Sequence, residues 1–407
     1  MTVGACVGSA LIASSSCAFA QAESGGTVRM ERLEKENADL KKRLDTLEGM
    51  AQKEGLTPGA PAPSVVKALS EIQLSGFVQA SYFYNTAHPK DGMSDAYLWN
   101  TKDNSFSLNK FKVTAASKPV ASDKWDAGFK ASLIFGEDAP QLNTPGNNTS
   151  FNDLREAYVE LNVPIGTGLN IKAGELISLL NYESGDGGAA NVNFSQGNQW
   201  WFTGNGPSAG VQGTYNFCDT FGLTLRVDNG LFQGPVDNNA GKAYSASFNF
   251  KPASNFWFNI YPFFDDQPAG SETKGVGAIG GVQINPQLGT GFEVDYFNFD
   301  NPGNSSDLWS VGAWIWYDFT PTVGLAFRGD YIGSPDGVLG PAVRPGAGIV
   351  TTDTDGDLAS LTLTLNWKPV PNIKIQPEIR LDTTSYDQGL DGKSTRFTVG
   401  AGVSYLF

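Results

Sequence analysis

An alternation of apolar and polar residues with a period of two recurs from about residue 71 to the end of the chain, and it constrains the fold more than any other feature. The segment 395–407 shows the pattern clearly. Its apolar face carries Phe397, Val399, Ala401, Val403, Tyr405 and Phe407, and its other face carries Arg396, Thr398, Gly400, Gly402 and Ser404. A membrane strand presents apolar side chains to lipid and can present polar ones to a wet interior. A soluble sheet can alternate in the same way, so the repetition along the chain carries the argument.

Composition narrows the class of protein. Charged residues make up 17% of the 407 residues and aromatic residues 12%, with 48 glycines and a formal net charge of −14. After the N-terminus there is no apolar run of the roughly 18 residues that a membrane helix needs, so helical spans are not expected. A closed barrel is then the remaining way to satisfy backbone polar groups in lipid. The acidic balance argues against a nucleic-acid partner, because no basic stripe is present to neutralise phosphates.

The first twenty residues have the features of a secretory signal peptide. Residues 3–12 are small and apolar, and residues 18–20 are Ala-Phe-Ala, a small-x-small cleavage pattern. Cleavage at this point removes Cys6 and Cys17 and leaves Cys218 as the remaining cysteine. We therefore predict an exported protein in which Cys218 is unpaired, because one cysteine cannot form an internal disulfide.

Residues 21–55 form a predicted coiled-coil segment. Residues with the 3-4 spacing of heptad a and d positions are Met30, Leu33, Asn37, Leu40, Leu44, Leu47 and Ala51. Asn37 at an a position would fix the register at some cost in stability. We predict that the segment helps to hold subunits together; the alternative is a lone amphipathic helix, because only about three heptads are present. Residues 56–68, which contain Pro58, Pro61 and Pro63, are predicted to form a stiff linker.

Residues 69–407 contain about sixteen alternating segments, each long enough to cross a bilayer as a tilted strand. The predicted strands are 71–85, 105–117, 123–136, 153–163, 169–178, 207–217, 221–231, 243–251, 255–264, 273–284, 288–299, 308–319, 322–333, 357–368, 372–384 and 394–407. The connections are predicted to alternate strictly between short turns and long loops, the long ones including 86–104, 137–152, 179–206 and 333–356. That arrangement is typical of transmembrane barrels. The predicted fold is therefore all-β, a transmembrane antiparallel β-barrel of about sixteen strands preceded by a short N-terminal coiled-coil helix.

The two faces of the strands indicate what the barrel encloses. On segment 357–368, Leu361 and Leu363 would face lipid, while Thr362 and Thr364 would face the interior. Predicted inward charges are nearly balanced, with Lys112, Lys130, Lys172, Arg226, Arg328, Lys374, Arg380 and Arg396 against Asp126, Glu156, Glu160, Asp228, Glu293, Asp295, Asp330 and Glu378. A barrel of about sixteen strands is too wide to be filled by side chains. We therefore expect an aqueous channel.

Five short motifs resemble a known family. They are NDLREAYVEL at 152–161, PIGTGL at 164–169, KAG at 172–174, NYES at 181–184 and NFS at 193–195. Together they resemble the OmpL-like β-barrel porins of Gram-negative outer membranes, over about residues 70–407. The resemblance implies an outer-membrane pore and no particular solute. It also implies that Phe407 is the terminal aromatic residue read by the barrel assembly machinery.

The loop 179–206 is the candidate constriction of the pore. In general porins, which this layout resembles, the loop between the fifth and sixth strands folds into the barrel and narrows it. Glu183 and Asp186 would then face the basic wall residues Lys172, Arg226, Arg328, Arg380 and Arg396. Opposed charges across a narrow gap sort solutes. The alternative is a surface loop whose acids are solvated.

Two further features bear on ligands. Trp200, Trp201, Trp314 and Trp316 could stack on sugar rings, although aromatic girdles at the membrane interface are the favoured interpretation. Segment 353–357 has oxygen ligands spaced like the start of a calcium loop, but it lacks the later glutamate and flanking helices of an EF-hand, so a solvated rim is favoured. We predict no cofactor and no resident metal.

The sequence gives no support for an enzyme. His88 has no nucleophile-elbow or metal motif beside it, so no enzyme activity is predicted.

Acidic residues are concentrated in the predicted long loops, at Asp91, Asp95, Asp103, Glu137, Asp138, Glu183, Asp186, Asp265, Asp266, Asp336, Asp353, Asp355 and Asp357. A negative mouth attracts cations over a Debye length of about 8–10 Å.

We therefore predict an outer-membrane porin, a homotrimer in contact with outer-membrane lipid, for passive diffusion of small hydrophilic solutes and ions with a weak cation preference. Its N-terminal segment and C-terminus would lie in the periplasm. The alternative is a structural or adhesive barrel anchored through its coiled coil.

Overall fold

The protein is described by a computed structural model in two compact units, one in residues 1–71 and one in residues 72–407. The described residues are 23–53, 71–97, 99–117, 119–140, 153–204, 206–231, 236–237, 239–267, 270–334, 356–386 and 389–407. The predicted signal peptide, 1–20, and the predicted linker, 56–68, lie outside them.

In the first unit, the described residues Glu23–Lys53 form a long helix, α1. Its apolar residues Leu33, Leu40, Leu44 and Leu47 are all exposed. A coiled-coil partner would cover such a stripe, so the coiled coil stays a prediction. Within the described part of the chain, no helix has the length and apolar character to cross a membrane.

The second unit is a closed barrel of sixteen antiparallel strands, as predicted. The strands are β1 Ile72–Asn85, β2 Ser105–Ser117, β3 Asp126–Phe135, β4 Leu154–Val163, β5 Leu169–Leu176, β6 Ser208–Cys218, β7 Phe221–Asp228, β8 Ala243–Ala253, β9 Phe256–Gln267, β10 Ser271–Gln283, β11 Leu288–Asn301, β12 Asn304–Thr320, β13 Val323–Ser334, β14 Gly356–Val370, β15 Ile373–Thr384 and β16 Thr395–Leu406. Each strand pairs with the next in sequence, and β1 pairs with β16.

The last residues of the chain close the barrel. In β16 the odd-numbered side chains from Phe397 to Tyr405 are exposed, whereas Arg396, Thr398 and Ser404 are buried inside. Beyond the strand, the Phe407 N–H donates to the Gly76 carbonyl at 3.0 Å, and the Gly76 N–H donates to the Phe407 carbonyl at 2.9 Å. The terminal residue therefore lies in the seam between the first and last strands.

The predicted strict alternation of connection length is wrong. At one end of the barrel, the short-turn end, all described connections are brief. At the other end, the long-loop end, two connections are also short. β9 and β10 are joined by residues 268–270, and β11 and β12 are joined by Pro302 and Gly303 alone. Gly303 has φ +88°, which the third position of a tight Pro-Gly turn requires and which glycine adopts without strain.

The barrel interior is not uniformly polar, contrary to the simple two-face prediction. An apolar cluster lies inside it, formed by Tyr261, Phe263, Ile279, Phe297, Leu308, Ile332 and Leu358 from the wall and by Ala96, Leu180, Leu231, Tyr386 and Leu390 from the connections. Burial of apolar area offsets the entropy lost on ordering these connections. Loop segments are therefore held inside the wide barrel.

Candidate functional site

The connection 177–207, here called the inner loop, runs inside the barrel. Its residue Glu183 is 5% exposed and forms an ion pair with Arg328 of β13, Oε1 to Nη1 at 2.9 Å. The Trp314 indole N–H also donates to Glu183 Oε1 at 3.1 Å, and the Gly197 N–H donates to Oε2 at 2.7 Å. A buried carboxylate is tolerated when such donors replace its water. Glu183 and Arg328 therefore meet as predicted, and they fix the loop to the wall.

Wall carboxylates hold the inner loop by its backbone. Glu293 accepts the Tyr182 N–H at 3.0 Å, Glu378 accepts the Phe194 N–H at 2.8 Å, and Asp330 accepts the Asn198 N–H at 3.1 Å. Each contact supplies an acceptor for a backbone N–H that the loop carries inside the barrel. Three separated points on the loop are thereby attached to three strands.

The second predicted loop acid meets a different base from those proposed for it. Asp186 pairs with Lys112 of β2 at 2.9 Å. Next to it, Lys110 pairs with Asp138 at 2.9 Å, and both side chains are 1% exposed. Burial raises the pKa of Asp138, and Lys110 opposes that shift.

Lys110 and Arg155 are interior bases that the sequence reasoning missed. The register of the β1–β2 pairing shifts at Gln79 and Ala80 and skips Asn109, and a similar shift in the β3–β4 register skips Arg155. Such a β-bulge places two consecutive residues against one partner, which breaks the period of two. The available signal is two consecutive polar residues in a strand, as in Asn109-Lys110 and Arg155-Glu156.

Two predicted bases, Arg380 and Arg396, lie together around a residue of the first long loop. Both contact Asp382 at 2.8 and 3.3 Å, and their guanidinium carbons lie 4.6 and 4.3 Å from the ring centre of Tyr97. The Tyr97 hydroxyl donates to Asp382 at 2.8 Å. Burial raises the pKa of Tyr97 to about 12, so the hydroxyl keeps its proton. Arg380 also donates to the Gln196 carbonyl of the inner loop at 2.7 Å.

The inner loop contacts strands β9, β11–β16, β1 and β2, whose inward face we call the loop-bearing wall. The inward face of β3–β6 is here called the open wall, because several of its polar side chains stay partly exposed. These side chains are Lys130, Tyr158, Glu160, Lys172 and Gln212. The barrel therefore has one crowded wall and one solvated wall.

The two remaining predicted bases border the open wall. Lys172 Nζ lies 4.8 Å from the ring centre of Tyr158, and no described carboxylate lies within 4.0 Å of it. Arg226 donates to Gln212 Oε1 at 2.7 Å and to the Ile177 carbonyl at 2.9 Å. The predicted set of seven charged residues is therefore split between the two walls rather than gathered in one ring.

Several other predicted features have a definite position. Trp314 is 2% exposed inside the barrel, so the prediction that it belongs to an interfacial aromatic girdle is wrong. Trp200 packs edge-on against Trp99, with ring centres 4.2 Å apart.

Asp265 and Asp266 lie on β9, not in a loop. Cys218 is a free, exposed thiol, as predicted. Among the described residues no cluster of three or more His, Cys, Asp or Glu side chains could hold a metal ion; Asp336, Asp353 and Asp355 lie outside them.

Known proteins agree with this architecture. The sequence model of the family described as "Putative beta-barrel porin-2, OmpL-like" matches residues 71–407. OprB of Pseudomonas putida is similar in structure, with a TM-score of 0.56 at 12% identity over 84% of this chain and 96% of that one. An anion-selective porin from Comamonas acidovorans has a TM-score of 0.55 at 10% identity over 83% and 99% of the two chains.

A third similar structure is OmpT, an outer membrane protein of Vibrio cholerae, in its trimer form. Its TM-score is 0.53 at 12% identity, over 83% of this chain and 99% of that one. No curated protein is significantly similar to the chain in sequence. At these identities the three structures show the fold alone.

Proposed function

The chain belongs to the OmpL-like family of outer-membrane β-barrel porins, and from this premise we propose that it is a non-enzymatic, water-filled channel for passive diffusion of small hydrophilic solutes and ions. The observation that carries the proposal is the position of the inner loop. The loop is bound to one wall of a sixteen-strand barrel, opposite a partly exposed polar wall. A barrel of this size is wide enough to conduct water, and a charged constriction selects among solutes.

A weak preference for cations is part of the proposal. The chain carries a net charge of −14, and Asp91 and Asp266 at the long-loop end are exposed. Glu183 and Asp186 contribute less than their number suggests, because Arg328 and Lys112 neutralise them. The preference should therefore arise at the solvated mouth and fade as salt screens it.

Conductance of the purified full chain in a planar bilayer tests this function. We expect discrete current steps in potassium chloride and a zero-current potential of the sign for cations at low salt. A trimer would give steps in groups of three. Vesicle-inserted protein that passes no current would contradict the channel. Anion selectivity at low salt would show that the wall bases control the pore.

We propose that the short-turn end and both termini face the periplasm. An even number of strands places both ends of the barrel chain at the same side. An epitope tag in the loop 86–104 should then be detected on intact cells. A tag in the turn between β8 and β9 should not be detected on intact cells. The reverse pattern would show that the barrel has the opposite orientation.

We propose that the barrel assembles as a homotrimer helped by residues 21–55. The exposed leucines of α1 support this idea, since an apolar stripe needs a partner. Deletion of 21–55 should leave the barrel folded and lower the heat resistance of the oligomer on gels. An unchanged oligomer would reduce the segment to a spacer.

We propose that Phe407 is the assembly signal. Its place in the closing seam, with Gly76, supports a role in completing the barrel. Phe407→Asp should lower the amount of folded protein in the membrane, while Phe407→Tyr should preserve it. Normal yield of Phe407→Asp would count against the role.

A further inference from the structure

Four positions in the barrel interior lie side by side across neighbouring strands. Trp257 of β9 pairs with Gly281 of β10, Gly281 with Gly291 of β11, and Gly291 with Trp314 of β12. A Cβ atom at Gly291 would lie 2.1 Å from ring atoms of Tyr182. The two glycines therefore form a trough between two tryptophans, and the Tyr182 ring of the inner loop lies in it.

The three rings form an aromatic row with one accessible end. Tyr182 lies 4.5 Å from Trp314 and 6.3 Å from Trp257, and its plane is within 7° of parallel to the Trp257 plane. Trp314 is 2% exposed, whereas Trp257 is 37% exposed. Because Trp257 points into the barrel, its exposed surface faces water rather than lipid. An apolar indole surface in a wet interior is a site for a ligand with an apolar face.

Side-chain amides lie next to this exposed indole. Asn259 follows Trp257 on the same face of β9, and it pairs directly with Asn249 of β8. Asn249 is held in place because it donates to Thr224 Oγ1 at 3.2 Å and accepts from Ser247 Oγ at 2.8 Å. The Asn259 amide makes no hydrogen bond to another described residue, so its donor and acceptor are available to a solute.

These groups line one cavity at the short-turn end. Its volume is about 600 Å³, and its lining includes Trp257, Asn249, Asn259 and Asn216. This lies within the 300–1,000 Å³ typical of small-molecule sites. Of the lining residues, Asp219 and Lys251 carry charge, one of each sign. The formal charges of the lining therefore cancel.

We propose that Trp257, Asn249 and Asn259 form a binding site for a neutral sugar ring. The C–H face of a sugar would lie on the indole, and its hydroxyls would exchange hydrogen bonds with the amides, both as donors and as acceptors. The site lies on the short-turn side of the inner loop, so it would hold a solute after the constriction. The inference rests on the proposed channel function and names a solute class for it.

Block of the single-channel current by glucose and by maltotriose tests the site. Both sugars should reduce the wild-type current reversibly, and the half-blocking concentration should be lower when they are added at the short-turn end. Trp257→Ala should raise that concentration about tenfold, equal to about 1.4 kcal/mol. Asn259→Ala should raise it less. Trp367→Ala is the matched control, since Trp367 is exposed on the outward face of β14.

The outcomes separate the site from the channel. A conducting wild-type channel that neither sugar blocks, or equal block in wild type and Trp257→Ala, overturns the site and leaves the channel intact. Equal weakening by Trp367→Ala also overturns it, because the effect would then be structural. A barrel that passes no current overturns the proposed function. In that case calorimetric titration of the protein with maltotriose tests the binding site directly. Absence of binding, or equal binding to wild type and Trp257→Ala, overturns the site.

Discussion

The loop-bearing wall and the open wall contain the same kinds of charged residue in different surroundings. On the first, Arg328 is 0% exposed and its charge is neutralised by Glu183 and Asp330. On the second, the Lys172 side chain is partly exposed beside the Tyr158 ring, and no described carboxylate lies within ion-pair distance of it. The comparison shows that surroundings in the barrel, and not residue type, decide whether a charge is buried with partners or stays in water.

The physical reason is desolvation. A buried charge loses several kcal/mol of hydration, so it persists only with partners at close range, and those partners then neutralise its field. A charge that stays in water needs no partner, and it acts on passing ions within a Debye length. The loop-bearing wall should therefore control stability, and the open wall should modulate the ion preference that arises at the mouth.

The largest expected effect is loss of stability on removing the central base of the loop-bearing wall. Arg328→Ala leaves Glu183 and Asp330 buried without their cation, which should lower the free energy of unfolding by about 3–5 kcal/mol. Urea unfolding in lipid vesicles measures this change.

Lys172→Ala is the matched control for that experiment, since it removes a base from the open wall. It should change stability by no more than about 0.5 kcal/mol. The double variant Glu183→Gln with Arg328→Ala should recover part of the loss, because one buried charge is removed with its partner. Equal destabilisation by Arg328→Ala and Lys172→Ala would erase the distinction between the walls.

A smaller effect is expected from adding a methyl group beneath the inner loop. Gly291→Ala places a Cβ 2.1 Å from the Tyr182 ring, so the ring must shift, at a cost of about 1–3 kcal/mol. Gly213→Ala on β6 meets its nearest atom at 4.0 Å and should be nearly neutral. The same unfolding assay compares them. Indistinguishable variants would mean that Tyr182 is not tightly held in the trough.

The smallest effect is expected on ion selectivity. Lys172→Ala removes an exposed positive charge and should raise the cation-to-anion permeability ratio. Glu183→Gln combined with Asp186→Asn removes one of the two carboxylates paired with Arg328 and the carboxylate paired with Lys112, and it should lower that ratio. Zero-current potentials in a salt gradient measure both shifts, which should shrink at 1 M salt, where the Debye length is about 3 Å. A lower ratio for Lys172→Ala and a higher ratio for the double variant would contradict the roles assigned to these basic and acidic residues.

The sequence by itself determined the class of fold, the strands and the lipid-facing side chains. The predicted segment 105–117 coincides with β2, and the other strands differ by a few residues at their ends. The strands were predictable because successive side chains of a strand point to opposite faces. This alternation can be recognised within each strand, without knowledge of the rest of the fold. The meeting of Glu183 with Arg328 was also predictable, from the place of a loop.

Only the tertiary structure decided which charges meet and where the interior is apolar. Glu183 and Arg328 are 145 residues apart, and the pairing of Asp186 with Lys112 depends on the path of the inner loop across the barrel. Two bulges, at Asn109 and Arg155, buried these residues against the alternation. Local periodicity carries no information on such contacts, because closure of the barrel brings distant strands to one interior and desolvation there selects the partners.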